Sequence, residues 1–244
     1  MPLDTSTYSL ALLRVDGRRW NELRRLHAQI RTQDAADGSS YLEMGHTKVM
    51  CIVTGPSEQQ VQRRGGQQAP RDEAAINVNV VVAGFSSVDR KKRGRNDKRI
   101  QEIETTIANA FSSNLHTHLF PHSSITISLH VLSQDGSLLA ALLNATTLAL
   151  IDAGIPMTDY IAACTAGSTS TYAAGDDTAD PLLDLNNQEE QELPFLTVAT
   201  QGNSDQVAVL VKQFLDQVVK DKGAEMIKEG AVERSDAMGM DVDE

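Results

Sequence analysis

The segment from Ser137 to Ala153, SLLAALLNATTLALIDA, constrains the fold of this 244-residue chain more than any other. It is apolar around almost its whole circumference at helical spacing, and Gly154 followed by Pro156 supplies the stop. A helix without a polar face leaves water only when other elements cover it on every side, so this one is predicted to be the central helix of a layered fold. Asn144, Thr146 and Thr147 interrupt the apolar stretch Leu138 to Ile151, which is also too short to cross a bilayer. The opening MPLDTSTYSLALLRVDGRR has no basic stretch ahead of its apolar run and no small-residue cleavage pattern, so secretion is not expected.

Strands are predicted on either side of that helix. Leu26 to Arg31 alternates apolar and polar residues and reads as a half-buried strand, Lys48 to Thr54 as a second and Ile76 to Phe85 as a third. Ser57 to Asp72 is rich in Gln, Gly and Arg and reads as a loop. Asp97 is the N-cap candidate of a long helix with Ile100, Ile103, Ile107, Ala110 and Phe111 on one face. Ser124 to Ser133 alternates again, and Asp135-Gly136 ends it in a turn. Further strands are read at Tyr160 to Ala166, Pro181 to Asn186, Phe195 to Thr200 and Gln206 to Leu210, then an amphipathic helix from Lys212 and a polar, acidic tail. The class is α+β.

The net charge of −11 argues against a surface that binds nucleic acid all over, since phosphate neutralisation needs an excess of Lys and Arg. The charge is unevenly spread, however. Lys91, Lys92, Arg93, Arg95, Lys98 and Arg99 follow Arg90 in one strip, and acids gather in Asp176 to Glu192 and beyond Glu225. A basic strip on an acidic body suits a local groove or channel for a polyanion. It reads equally as a solvated loop or a nuclear-import patch. No aromatic residue interleaves it, so backbone contacts are expected there rather than base stacking. The two cysteines, Cys51 and Cys164, lie in apolar stretches and read as buried thiols. His116, His118 and His122 are close in sequence but lack a neighbouring acidic or cysteine ligand, and they read as helix-end and turn residues rather than a zinc site.

Arg14-Val15-Asp16-Gly17-Arg18, with Glu22 and Arg24 following, begins an ordered series of motifs. Gly38-Ser39-Ser40, Gly45-His46-Thr47-Lys48-Val49 and Gly55-Pro56 continue it, then Asp97-Lys98-Arg99, Leu143-Asn144-Ala145, Asp152-Ala153-Gly154-Ile155-Pro156 and Leu183-Asp184-Leu185-Asn186. The series spans roughly Leu12 to Val219 and resembles the RNase PH family, in particular its members in the eukaryotic exosome ring. The resemblance implies an RNase PH-like fold, like domain 2 of ribosomal protein S5, with two βα lobes around the buried helix. The expected division is one domain over 1–230, with lobes at about 12–133 and 134–230, and an acidic tail over 231–244.

Active members of that family use inorganic phosphate to cut RNA from its 3′ end. Holding a charged nucleophile beside a polyanion calls for a guanidinium, a hydroxyl and helix-terminal N–H groups. The family places a Ser or Thr and then an Arg at the start of the central helix, where this chain has Leu138 and Leu139. Leucine offers neither donor nor charge, and removing a charged hydrogen-bond partner costs roughly 2–5 kcal/mol. Asp184 matches the family's first acidic position, and Glu190 stands where active members carry a second Asp. The pair is a remnant that would hold Mg²⁺ or act as a general acid, or Glu189, Glu190 and Glu192 form a solvated acidic loop. Asp16, Arg18, Glu22 and Arg24 read as a structural ion-pair cluster fixing the first strand and a subunit contact. Arg99 matches the family's RNA-backbone position; Lys98, Arg95, Arg93, Lys92 and Lys91 join it by neighbourhood, and Arg63 and Arg64 are candidates in the loop Ser57 to Asp72.

Three readings stay open. The first is a non-catalytic ring subunit without a metal cofactor, which guides single-stranded RNA 3′ ends to a separate hydrolytic nuclease. Its implied partners are other RNase PH-like ring subunits and cap proteins with S1 and KH domains, with no membrane involved. The second is an active Mg²⁺-dependent phosphorolytic 3′-to-5′ exoribonuclease, and the third a protein-recruiting scaffold without RNA contact. The resemblance implies nuclear, nucleolar and cytoplasmic pools.

Overall fold

A computed structural model of the chain describes residues 13, 14, 16–58, 73–87, 90, 97–168, 181–202 and 207–212. The first sheet holds β1 (Leu26–Ile30), β2 (Gly38–Met44), β3 (Thr47–Glu58), β4 (Ala75–Val82) and β5 (Ser123–Ser133), in the order β1-β2-β3-β5-β4. All its pairs are antiparallel except β4–β5, a parallel pair joined through helix α1 (Lys98–Asn114). The central helix α2 (Leu138–Asp152) leads into β6 (Ile161–Ser168), β7 (Pro181–Leu183), the short helix α3 (Asn187–Glu192), β8 (Phe195–Gln201) and β9 (Val207–Lys212). These later strands form a second, antiparallel sheet in the order β7-β6-β8-β9.

Alternation explains the inner face of the first sheet. Val49, Cys51 and Val53 of β3 stand opposite Val131, Leu129 and Ile127 of β5, and every one of them is fully buried. Burial also pushes the Cys51 thiol up to about 12, which makes it inert. Helix α2 lies between the sheets, packing on β2 and β3 on one side and on β6 and β8 on the other. Its few polar side chains bond to both layers. Ser40 Oγ donates to Ala145 O at 2.7 Å from the first sheet. Asn144 exchanges bonds of 2.9 and 2.8 Å with the backbone of Ala163, and Thr147 Oγ1 donates to Ile161 O at 2.9 Å. A half-buried amide paired in this way costs little and sets the register of helix on strand. The α+β class expected from the sequence, with strands layered on both sides of a buried central helix, is the one observed.

Several local expectations change. Leu26–Ile30 is not half-buried: all five residues of β1 are exposed, Leu26 at 62 %, because α2 reaches across β2 and β3 but barely covers this edge strand. β4 ends at Val82, and Ala83 to Ser86 turn back instead of extending the strand to Phe85. β7 ends at Leu183, because Asp184 takes a left-handed φ of 53°. Lys212 belongs to β9, and the helix expected after it lies outside the described residues, as do most of the loop Ser57 to Asp72 and the acidic tail. No helix among the described residues is long and apolar enough to cross a membrane.

Gly38 marks the closest approach of sheet and central helix. A Cβ there would stand 2.6 Å from Ala153 Cβ and collide with Ala149 O. Gly38→Ala is expected to destabilise the fold by about 1–3 kcal/mol through overpacking, read as a lower urea midpoint with an unchanged m-value.

Candidate phosphate and RNA site

The parallel pair β4–β5 and the two long helices bring several chain ends to one edge of the molecule. Val80 N–H donates to Glu104 Oε1 at 2.8 Å, which lays the second turn of α1 against the C-terminal half of β4. Asp97 caps α1 by accepting from Arg99 N–H at 3.1 Å, so Lys98 and Arg99 stand exposed at its first turn. α2 starts where β5 finishes, after Asp135-Gly136. Both helices therefore direct the positive ends of their dipoles toward the C-terminal ends of the parallel strands.

Three arginines from the N-terminal stretch lock the segment 183–190 against this edge. Arg14 is 4 % exposed and pairs with Glu189, which is 2 % exposed; it also donates to Leu183 O at 2.5 Å and to Asp184 O at 3.0 Å. Arg24 grips Asp184 with Nη2 on Oδ1 at 2.7 Å and Nε on Oδ2 at 3.0 Å, while its backbone N–H donates to Oδ2 at 2.9 Å. Its Nη1 reaches Asp135 O, and Thr47 Oγ1 donates to Gly136 O at 2.8 Å. Arg18 bridges Asp16 at 2.8 Å, Asn186 Oδ1 at 3.2 Å and Asp184 O at 3.3 Å. Gly136, at φ 76°, is required here because a Cβ would run into Leu185 O and Asn186 C. Asp16 and Arg18 do form an ion pair as expected, and Arg24, two residues ahead of β1, ties the approach to that strand to the segment around Asp184.

Glu189 and Glu190 do not lie in a solvated loop. Asn186 and Glu189 close a capping box on α3, and Glu189 is neutralised in the interior by Arg14. Glu190 turns the other way, and its Oε1 accepts from Ser137 N–H at 2.5 Å, at the very start of α2. Ser137 itself is left-handed, with φ 52°, and its hydroxyl donates to Leu185 O at 3.1 Å. The two carboxylates differ sharply in character. Burial works to raise the Asp184 carboxyl, but the bonds and charge of Arg24 outweigh it and hold the group below its ordinary range. Burial raises Glu190, with Asp184 and Asp135 adding repulsion, and against the Ser137 N–H and Arg24 the group still reaches about 7.

A divalent cation does not fit this arrangement. Arg24 bonds both carboxylate oxygens of Asp184 through its side chain and its backbone N–H, so a cation would have to displace a guanidinium, and Glu190 alone does not make a hard-ligand cage. Leu138 and Leu139 sit half-buried on the first turn of α2 and pack against the core. They present neither charge nor donor where an anion would approach. Of the basic candidates, Lys98 and Arg99 are placed as described, and Lys91, Lys92, Arg93, Arg95, Arg63 and Arg64 lie outside the described residues. The pairing of Arg14 with Glu189 and the contact of Glu190 with Ser137 escaped the sequence reading; Asn186-x-x-Glu189 was the legible signal of a helix start.

The unfolded chain releases the Glu190 proton near 4.5, whereas the folded protein keeps it to about pH 7. This residue's contribution to stability therefore falls as pH rises from about 4.5 to about 7 and levels off above that. Glu190→Gln is expected to remove the decline and to raise stability at pH 8, measured by denaturant unfolding across the pH range. Asp184 acts in the opposite sense, because its stabilisation is present at neutral pH and is lost in acid below the ordinary carboxylate range. Arg24→Met, which strands that buried charge, should cost about 3–5 kcal/mol.

The profile of the 3′ exoribonuclease family, domain 1 (RNase PH), matches residues 22–156. The chain is 44 % identical over 202 residues to exosome complex component ski6 of Schizosaccharomyces pombe, covering 83 % of this chain and 78 % of the relative. It is 39 % identical over 198 residues to human exosome complex component RRP41, covering 81 % and 76 %. Its fold matches the crystal structure of rice Rrp46 with a TM-score of 0.67 at 27 % identity, covering 82 % of this chain and 85 % of that one. On the matched profile, the shared motifs and the shared fold, the chain belongs to the RNase PH family.

Proposed function

We propose that the chain is an exosome ring subunit of the RRP41 type that guides the 3′ ends of single-stranded RNA without cleaving them. The ring assignment rests on its similarity to exosome components along most of its length. The observation that carries the absence of cleavage is the start of α2. Leu138 and Leu139 replace the groups a phosphate would need, and the one described contact to Ser137 N–H is the Glu190 carboxylate. When ionised, that carboxylate repels an incoming phosphate and already holds an N–H that would bind it. Lys98 and Arg99 remain exposed at the same edge and, among the described residues, form no ion pair. They are free to hold an RNA backbone. In this reading the partners are other RNase PH-like ring subunits, S1 and KH cap proteins and a hydrolytic 3′-to-5′ nuclease, which performs the cleavage.

One observation favours the second reading, an active phosphorolytic subunit. Glu190 exchanges its proton near pH 7, which suits a general acid on the leaving 3′ oxygen. The test is phosphate-dependent release of nucleoside diphosphates from single-stranded RNA by the assembled complex, with its hydrolytic nuclease inactivated, in phosphate and Mg²⁺. No release is expected. Release that disappears in Asp184→Asn would instead make the chain an enzyme. Replacing both Lys98 and Arg99 by Glu should weaken RNA binding at least tenfold and flatten its salt dependence, since about two phosphate contacts are lost. Unchanged binding would remove the guiding role.

A further inference from the structure

Phe85 is 69 % exposed, on the turn that follows β4. That turn is firmly mounted. Ser86 N–H closes it onto Ala83 O at 2.9 Å, Ala83 N–H donates to Val131 O at 3.0 Å, and Gln134 N–H donates to Ser86 O at 3.0 Å. Ser86 is itself buried, so the backbone on the C-terminal side of Phe85 is anchored inside the protein while the ring stands outside. At Gly84 an added Cβ would meet no atom within 4 Å, so the turn tip stands clear of the described body of the protein.

The position of this ring is what gives it meaning. Gln134, which bonds the turn, directly precedes Asp135-Gly136-Ser137, the turn that opens α2. β4 and β5 run parallel, so Phe85 stands at the same strand ends as that turn. The contact between Val80 N–H and Glu104 places the first turn of α1, with Lys98 and Arg99, toward this end as well. A rigid aromatic face thus borders an edge with two helix N-termini and two exposed cations. The exposed ring is left for a contact outside the described chain, and a polyanion with planar bases meets complementary groups here.

We infer that Phe85 is a stacking platform for an unpaired base near the 3′ end of single-stranded RNA, while Lys98 and Arg99 hold the flanking phosphates. The inference rests on the RNA-guiding reading above and adds a base contact to it. The basic strip contains no aromatic residue, and Phe85 stands just ahead of it in the chain, past the end of β4. Because every base has a π-face, the contact discriminates little between sequences. It distinguishes single-stranded RNA from a duplex, whose bases are already stacked.

The test uses the full-length chain in its assembled complex and a 5′-fluorescent single-stranded oligoadenylate, with the dissociation constant read by anisotropy over a range of salt. A second RNA of equal length carries abasic nucleotides at its 3′ end. Phe85→Ala should weaken binding of the intact RNA about tenfold without changing the salt slope, because no phosphate contact is lost. Phe85→Trp should bind as the unaltered complex does. The abasic RNA should bind the unaltered complex and the Phe85→Ala complex equally. Four results would overturn the proposal: unchanged affinity in Phe85→Ala; a tenfold loss that persists with abasic RNA; an altered salt slope; or dissociation of the variant complex on size exclusion, which would make Phe85 a protein contact. Arg99→Glu in the same assay separates the two levels of the argument. If it weakens binding and Phe85→Ala does not, stacking alone fails; if neither does, the RNA-guiding reading fails with it.

Discussion

The buried pair of Arg24 and Asp184 holds together the part of the molecule on which every functional feature depends. It joins the entrance of the first sheet to the exit of β7, and through Asp135 O it reaches the turn that starts the central helix. A guanidinium bonded to both carboxylate oxygens recovers much of the desolvation cost of burying two charges. Arg14 and Glu189 repeat the device one turn further along. With both pairs in place, segment 183–190 has a single conformation, and a left-handed Asp184 is tolerated because its surroundings over-determine it.

The same pairing accounts for the chemistry this edge has and for what it lacks. Arg24 consumes the carboxylate that family resemblance offered to a metal, so Asp184 works as a structural anchor. Among the described residues Glu190 forms no ion pair, and it lies against the N-terminus of α2, where burial and two neighbouring carboxylates raise its proton affinity. The edge keeps its helix dipoles and its cations Lys98 and Arg99. In the proposed reading these groups attract an RNA backbone and receive a free phosphate poorly, a combination that suits passage better than cleavage.

Much of the candidate site could be read from residue types. Leu138 and Leu139 announce a first helical turn without donors, and the cations at Asp97-Lys98-Arg99 follow from a recognisable N-cap. The partners of the acidic residues could not be read. Glu189 and Glu190 are adjacent, yet one points inward to Arg14 and the other to Ser137 across the top of α2. Adjacent residues on a helix are about 100° apart, and no local pattern states what lies beyond each face. Phe85 was hidden for a similar reason. Its alternation reads as the end of a strand, and the bond from Ser86 N–H to Ala83 O shows that the chain has already turned.

The sequence by itself determined the central helix, the long strands around it, the N-cap at Asp97 and the family, because each depends on periodicity or on short motifs. The helix had to be covered on both faces whatever the topology, since no polar stripe exists to meet water. Only the tertiary structure decided which carboxylate is neutralised, which is left to hold a proton near neutrality, and which aromatic is left exposed past the end of β4. Those properties are set by the dielectric and the charges within a few ångströms of each group. Their neighbours lie as far as 175 residues away along the chain, and only folding brings them together.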